Sequence, residues 1–194
     1  MVLLFALACV PRLYTDDADD TGGVWVAPEN RWEHTGEPSE GLEGEGFQNG
    51  DVIPELRSED QYGDVTSLWQ FAGEYLLLDL SAFWCGPCQE EAPHLVDLQE
   101  DFEGCAQIVT VIIQDGESQS TDSAEAATWA ESFDLADIPV FSDPDGWYLG
   151  LFPPGSTVAI PRFILVNPDL TVENTQVLPA NVSGAHAALE AVCD

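Results

Sequence analysis

The sequence predicts an α/β protein with a central mixed β-sheet flanked by helices on both faces. Three observations point to it. Apolar, β-branched runs alternate with stretches of helical spacing. The last two strand-like runs face each other across Asn167-Pro168-Asp169, and one more helical stretch follows. Hydrophobic residues make up 45% of the 194, enough to bury the core of one domain.

The elements follow in order. Asp51–Leu56 reads as an edge segment, where Pro54 is tolerated. Leu76–Ala82 is a buried central strand. Pro87–Asp101 has helical spacing, with Ala92, Leu95, Val96 and Leu98 on its apolar positions. Ile108–Ile113 is a second buried strand. Asp122–Phe133 is a helix with Ser120 or Thr121 near its N-cap. Val140-Phe141 is a short strand before the turn Asp143-Pro144-Asp145-Gly146. Phe163–Val166 and Thr171–Val177 form the closing hairpin, and Ser183–Val192 the last helix.

Upstream of this domain, assigned to residues 46–194, the composition changes. Residues 10–45 hold Asp16-Asp17-Ala18-Asp19-Asp20 and many glycines, and read as an acidic flexible spacer interrupted by Trp25 and Trp32. Residues 1–9 form a short apolar stretch with small residues before Cys9. That suggests a lipoprotein-type signal segment with Cys9 lipidated; the alternative is a buried N-terminal strand.

Charge excludes some partners. Thirty-six acidic residues stand against four basic ones, giving a net charge of −32. Such a field repels phosphate backbones, so no nucleic acid is expected as a partner. Molar salt would screen the self-repulsion, which makes a saline habitat one reading of the surface.

Trp84-Cys85-Gly86-Pro87-Cys88 carries the chemistry. Two cysteines three positions apart, between a strand and a helix, form a dithiol that closes into a disulfide and reopens. At a helix N-terminus, unpaired N–H groups and the macrodipole favour the thiolate. Cys85, the better exposed, is the expected nucleophile, and Cys88, one turn in, the resolving thiol. Gly86 keeps the turn tight, and Pro87 suits an early helix position. Asp79 interrupts an apolar strand six positions earlier and shares a face with Leu77 and Ser81. Buried there, it would accept the Cys88 proton; the alternative is a carboxylate paired with Ser81. Pro161 directly precedes a strand. A cis bond would bring the Ile160 backbone to the dithiol to pair with an extended peptide; a trans bond would make it an ordinary strand start. Cys105 and Cys193 would form a structural disulfide in an oxidising compartment, and otherwise remain thiols.

These residues resemble thioredoxin, and the wider pattern resembles the extracytoplasmic TlpA-like and AhpC/TSA-type redoxins. The motif, the earlier Asp79 and the late Pro161 carry the first likeness. Glu91-Ala92-Pro93 after Cys88, the segment Leu68–Gly73, and an insertion over Asp115–Gly146 carry the second. The resemblance covers about residues 46–194. It implies a thioredoxin-like fold with a redoxin-type insertion and a thiol-disulfide oxidoreductase without a cofactor. It implies Cys85 attacking, Cys88 resolving, Asp79 as buried acid/base, and Pro161 cis. Trp84, Gly86, Pro87, Ile160 and Pro161 would contact substrate. Glu91 would tune the cysteines; its alternative is an exposed helix residue. Arg162 stands where a Thr is usual. It would stabilise the Cys85 thiolate or bind an acidic client, or else form a surface ion pair. The expected partners are protein thiol or disulfide clients and a membrane or soluble electron-transfer protein. The expected setting is a monomer, lipid-anchored, on the periplasmic side of a membrane.

Other classes fit less well. A peroxiredoxin wants Thr or Ser three positions before its cysteine, where Ala82 stands. Zinc would need more than one Cys-x-x-Cys pair, and His34, His94 and His186 lack a matching spacing. A non-catalytic binding protein on a redoxin scaffold would have no need of both cysteines and Asp79.

Overall fold

The computed structural model describes residues 25–148, 152 and 158–193. The expectations for residues 1–9 and 10–24, Cys9 included, lie outside the described residues. A five-stranded mixed sheet forms the centre, in the order β5-β4-β3-β6-β7. Its strands are β3 (Tyr75–Ala82), β4 (Ala106–Gln114), β5 (Val140–Ser142), β6 (Arg162–Val166) and β7 (Val172–Asn174). β3, β4 and β5 run parallel, and β6 is antiparallel to both β3 and β7. β3 and β4 are buried almost throughout, as unbroken apolar runs in a covered parallel sheet should be.

Both edges of the sheet are covered. Residues 50–53 lie antiparallel to 170–172: Gly50 N–H donates to Val172 O at 2.7 Å, Val172 N–H to Asp51 O at 2.8 Å, and Ile53 N–H to Leu170 O at 2.9 Å. That is the edge role expected of Asp51–Leu56. At the other edge, Asp60 bridges to Phe141. Asp60 directly follows the first strand of a hairpin absent from the sequence reading, β1 (Arg57–Glu59) with β2 (Val65–Ser67). Three-residue strands of mixed polarity give little periodic signal.

The expected helix over Pro87–Asp101 is broken. It consists of α1 (Gly86–Glu91), a 3-10 turn at Ala92–His94, and α2 (Leu95–Asp101). Pro93 is the cause, because it has no N–H to donate and its ring clashes with the preceding turn. α3 (Ser123–Phe133) is capped by Asp122 instead of Ser120 or Thr121, in a capping box with Glu125. α4 (Val182–Cys193) closes the chain. β7 is shorter than the run Thr171–Val177 suggested. None of the described helices is long and apolar enough to cross a membrane.

The spacer expectation needs correction over residues 25–45, which lie along the domain as a strap. Trp25, Trp32 and Leu42 pack against the core. Trp25 Nε1 donates to Glu55 at 2.9 Å, Trp32 Nε1 to buried Asp60 at 2.6 Å, and Thr35 Oγ1 to Ala72 O at 3.0 Å. At Gly36 the approach is so close that a Cβ would stand 2.4 Å from the Ala72 carbonyl oxygen. Two tryptophans with polar partners outweigh the low apolar content around them.

Candidate active site

β3 ends at Ala82, and a short turn carries the chain into α1. Cys85 is the N-cap: its Sγ accepts the Cys88 N–H at 3.2 Å, and its own N–H donates to Ala82 O at 3.0 Å. Cys85 and Cys88 are joined, S–S 2.16 Å. Cys85 is the better exposed, at 4% against 1%, so even the expected nucleophile is largely covered in the disulfide form. Pro87 occupies the first turn, where its missing N–H leaves no bond unmade. Gly86 differs from expectation. Its φ is not positive and a Cβ would meet nothing within 4 Å, so the turn does not require glycine. What glycine provides there is an open flank beside the sulfurs.

Trp84 is half exposed next to the dithiol, its Nε1 donating to Gln114 at 3.0 Å. Gln114, at the end of β4, also accepts the Phe83 N–H through its carbonyl at 3.1 Å. The sequence reading missed this residue, which holds the turn.

Asp79 is buried on β3. Ser81 Oγ donates to it, lying 2.9 Å from each carboxylate oxygen, and Thr110 Oγ1 donates to Oδ2 at 3.3 Å. Burial pushes the Asp79 carboxyl up to about 7; the two hydroxyls oppose that rise and the Glu91 charge adds to it. Asp79 is thus both buried, with a raised pKa, and paired with Ser81. Thr110 was missed, although it is the one polar residue inside the run Ile108–Ile113. It faces Asp79 directly in the β3–β4 register.

The Ile160–Pro161 bond is cis. In the β3–β6 register Leu80 faces Arg162. Continuing that register sets Pro161 level with Ser81 and Ile160 level with Ala82, at the end of β3 where the dithiol turn begins. Pro161 is buried and Ile160 half-buried.

Glu91 and Arg162 both have partners that the sequence does not show. Glu91 does not sit as an exposed helix residue: its Oε2 accepts the Val182 N–H at 2.7 Å, tying α1 to the first turn of α4. Its charge bears on Asp79. Arg162 has no carboxylate partner among the described residues. It donates to Thr175 O at 2.9 Å and lies 4.8 Å from the Phe152 ring centroid. Burial lowers its guanidinium from the ordinary value. Asp79 pairs with Phe163, so the neighbouring Arg162 points to the opposite face of the sheet. Cys105 and Cys193 are joined, S–S 2.04 Å, linking the start of β4 to the end of α4.

A mixed sheet whose central strand carries a buried acid and leads into a Cys-Gly-Pro-Cys helix, with a cis-proline strand beside it, defines a thioredoxin-like protein built on a dithiol–disulfide couple. The chain belongs to the AhpC/TSA family, whose pattern matches residues 49–175. It is 28% identical over 101 residues to the thioredoxin-like protein YneN of Bacillus subtilis, covering 52% of this chain and 57% of that one. It is 24% identical over 131 residues to the thiol-disulfide oxidoreductase ResA of Oceanobacillus iheyensis, covering 66% of this chain and 64% of that one. The chain thus spans about three fifths of the length of these curated relatives. Among solved structures, it resembles the thioredoxin domain of a thiol-disulfide oxidoreductase from Bacteroides vulgatus. There the TM-score is 0.62 at 20% identity, covering 77% of this chain and all of that one.

Proposed function

We propose that this chain is a thiol-disulfide oxidoreductase that exchanges electrons with protein clients through Cys85 and Cys88. The observation that supports this most is the pair itself: two cysteines bonded at a helix N-terminus, with the acid Asp79 buried on the strand leading to them. The Cys85 thiolate attacks one sulfur of a client disulfide. A mixed disulfide forms, and the other client sulfur leaves as a thiolate. Asp79 takes the Cys88 proton. The Cys88 thiolate attacks Cys85 Sγ, the Cys85–client bond breaks, and the second client thiolate leaves. Two electrons pass from the dithiol to the client; an electron-transfer partner restores the dithiol. Run backwards, the same steps oxidise a client. Trp84, Gly86, Pro87 and the Ile160 backbone receive the client chain in extended form, beside the sulfurs.

The setting is extracytoplasmic. Support comes from the Cys105–Cys193 bond, remote in sequence from the motif, which an oxidising compartment favours. Lipidation of Cys9 would place the domain at a membrane surface.

The test is a Cys88→Ser trap in the native host. It should accumulate mixed disulfides through Cys85, identifiable by mass spectrometry, while the wild type reduces insulin. No trapped species together with no insulin reduction would overturn the proposal.

A further inference from the structure

We propose that Ser81 and Thr110 are positioning residues for this reaction: their hydroxyls donate to the Asp79 carboxylate and hold it in the ionised form that takes the Cys88 proton. This rests on the acid/base reading of Asp79 given above. Ser81 Oγ stands 2.9 Å from both carboxylate oxygens but has a single proton to donate. Thr110 Oγ1 reaches only Oδ2, at 3.3 Å. The carboxylate thus receives one hydroxyl donor from its own strand, β3, and one from the neighbouring β4.

The surroundings leave the task to these two groups. Ser81, Thr110 and Asp79 are all buried. The neighbour of Asp79 on β6 is Phe163, whose side chain offers no hydrogen bond. The charged group bearing on Asp79 from α1 is Glu91, which opposes ionisation, and the thiols of Cys85 and Cys88 belong to the same helix end. The two hydroxyls therefore favour the ionised carboxylate against burial and against Glu91, and set the pH at which the Cys88 proton can be taken.

The experiment reads Asp79 in two ways. The first is the 13C NMR titration of its carboxyl carbon in the oxidised protein. The second is the resolution step, seen as the second of two thionitrobenzoate releases when reduced protein meets dithionitrobenzoate. For Ser81→Ala, the midpoint of both profiles should rise by about one pH unit, cutting the resolution rate near pH 6 about tenfold and leaving it unchanged near pH 9. Thr110→Val should move the midpoint the same way but less, because its bond is longer. Ser81→Thr, which keeps the hydroxyl, should keep the wild-type midpoint. An unchanged midpoint in Ser81→Ala, or a Ser81→Thr protein that behaves as the alanine variant does, would overturn the proposal. Wild-type resolution in Asp79→Asn would overturn the acid/base reading itself. The NMR titration separates the two failures, since it reports the carboxyl whether or not the protein turns over.

Discussion

Asp79 makes a measurable demand on stability. Its carboxyl ordinarily titrates near 3.8 and is raised to about 7 in the fold. Between those values the folded protein keeps a proton that the unfolded chain gives up, so stability falls as pH rises from about 4 through 7. The shift corresponds to a ceiling of roughly 4 kcal/mol. An Asp79→Asn protein escapes that loss. It should be more stable than wild type near pH 8.5 by about 2 kcal/mol and little changed near pH 4. Urea unfolding of the oxidised protein at the two pH values checks this; a gain equal at both would count against it. Asp79 was legible in the sequence because a carboxylate inside Leu76–Leu80 has no ordinary reason to be there. Its partner Thr110 was not, because threonine is a common strand residue and the β3–β4 pairing that aims it at Asp79 joins positions 31 apart. Arg162 was visible in the sequence, but its place on the sheet face opposite Asp79 follows only from the register with β3.

Among the elements, the long apolar ones were legible and the short ones were not. Leu76–Ala82 and Ile108–Ile113 fall within observed strands because a buried parallel strand needs a continuous apolar run. The hairpin of β1 and β2 depends on distant partners, Ser58 Oγ bonding Ser142 Oγ across the edge at 2.8 Å. The break at Pro93 was readable but outweighed by the apolar spacing around it. At α3, Asp122 accepts the Ala124 N–H at 2.8 Å while Glu125 accepts the Asp122 N–H at 2.9 Å. Asp122→Ala should therefore cost about 1 kcal/mol, read as a lower urea midpoint at constant slope. At α4, the Cys105–Cys193 bond closes a separation of 88 residues. Replacing both by serine should cost about 4 kcal/mol in oxidised protein if loop entropy dominates. Calorimetry or urea unfolding checks it; a loss under about 1 kcal/mol would show that the chain-entropy account fails here. Insulin reduction should persist in the double variant below its new midpoint.

For the whole molecule, charge is the dominant fact. Arg57 pairs with Glu55 at 2.7 Å, whereas Arg31 lies over the Tyr62 ring and Arg162 binds Thr175 and faces Phe152. The described cations are thus spent largely on rings and carbonyl groups, and the net charge of −32 is left to solvent and counterions. Screening should then stabilise the fold. In about 3 M potassium chloride the thermal midpoint should rise by about 3 °C or more over about 0.1 M, the equivalent of roughly 1 kcal/mol. A midpoint indifferent to salt would remove self-repulsion as a significant term.

The strap bears on the proposal that Cys9 is lipidated. Cys9 lies sixteen positions before Trp25 and thirty-seven before Gly46. Were the chain to leave the domain at Gly46, a lipid on Cys9 could stand as much as about 130 Å away. Because Trp25 is fastened to Glu55, that limit contracts to about 55 Å, whatever shape the intervening residues take. Under the proposed lipidation of Cys9, the hydrogen bond of Trp25 to Glu55 would therefore hold the start of the strap within that distance of the membrane surface.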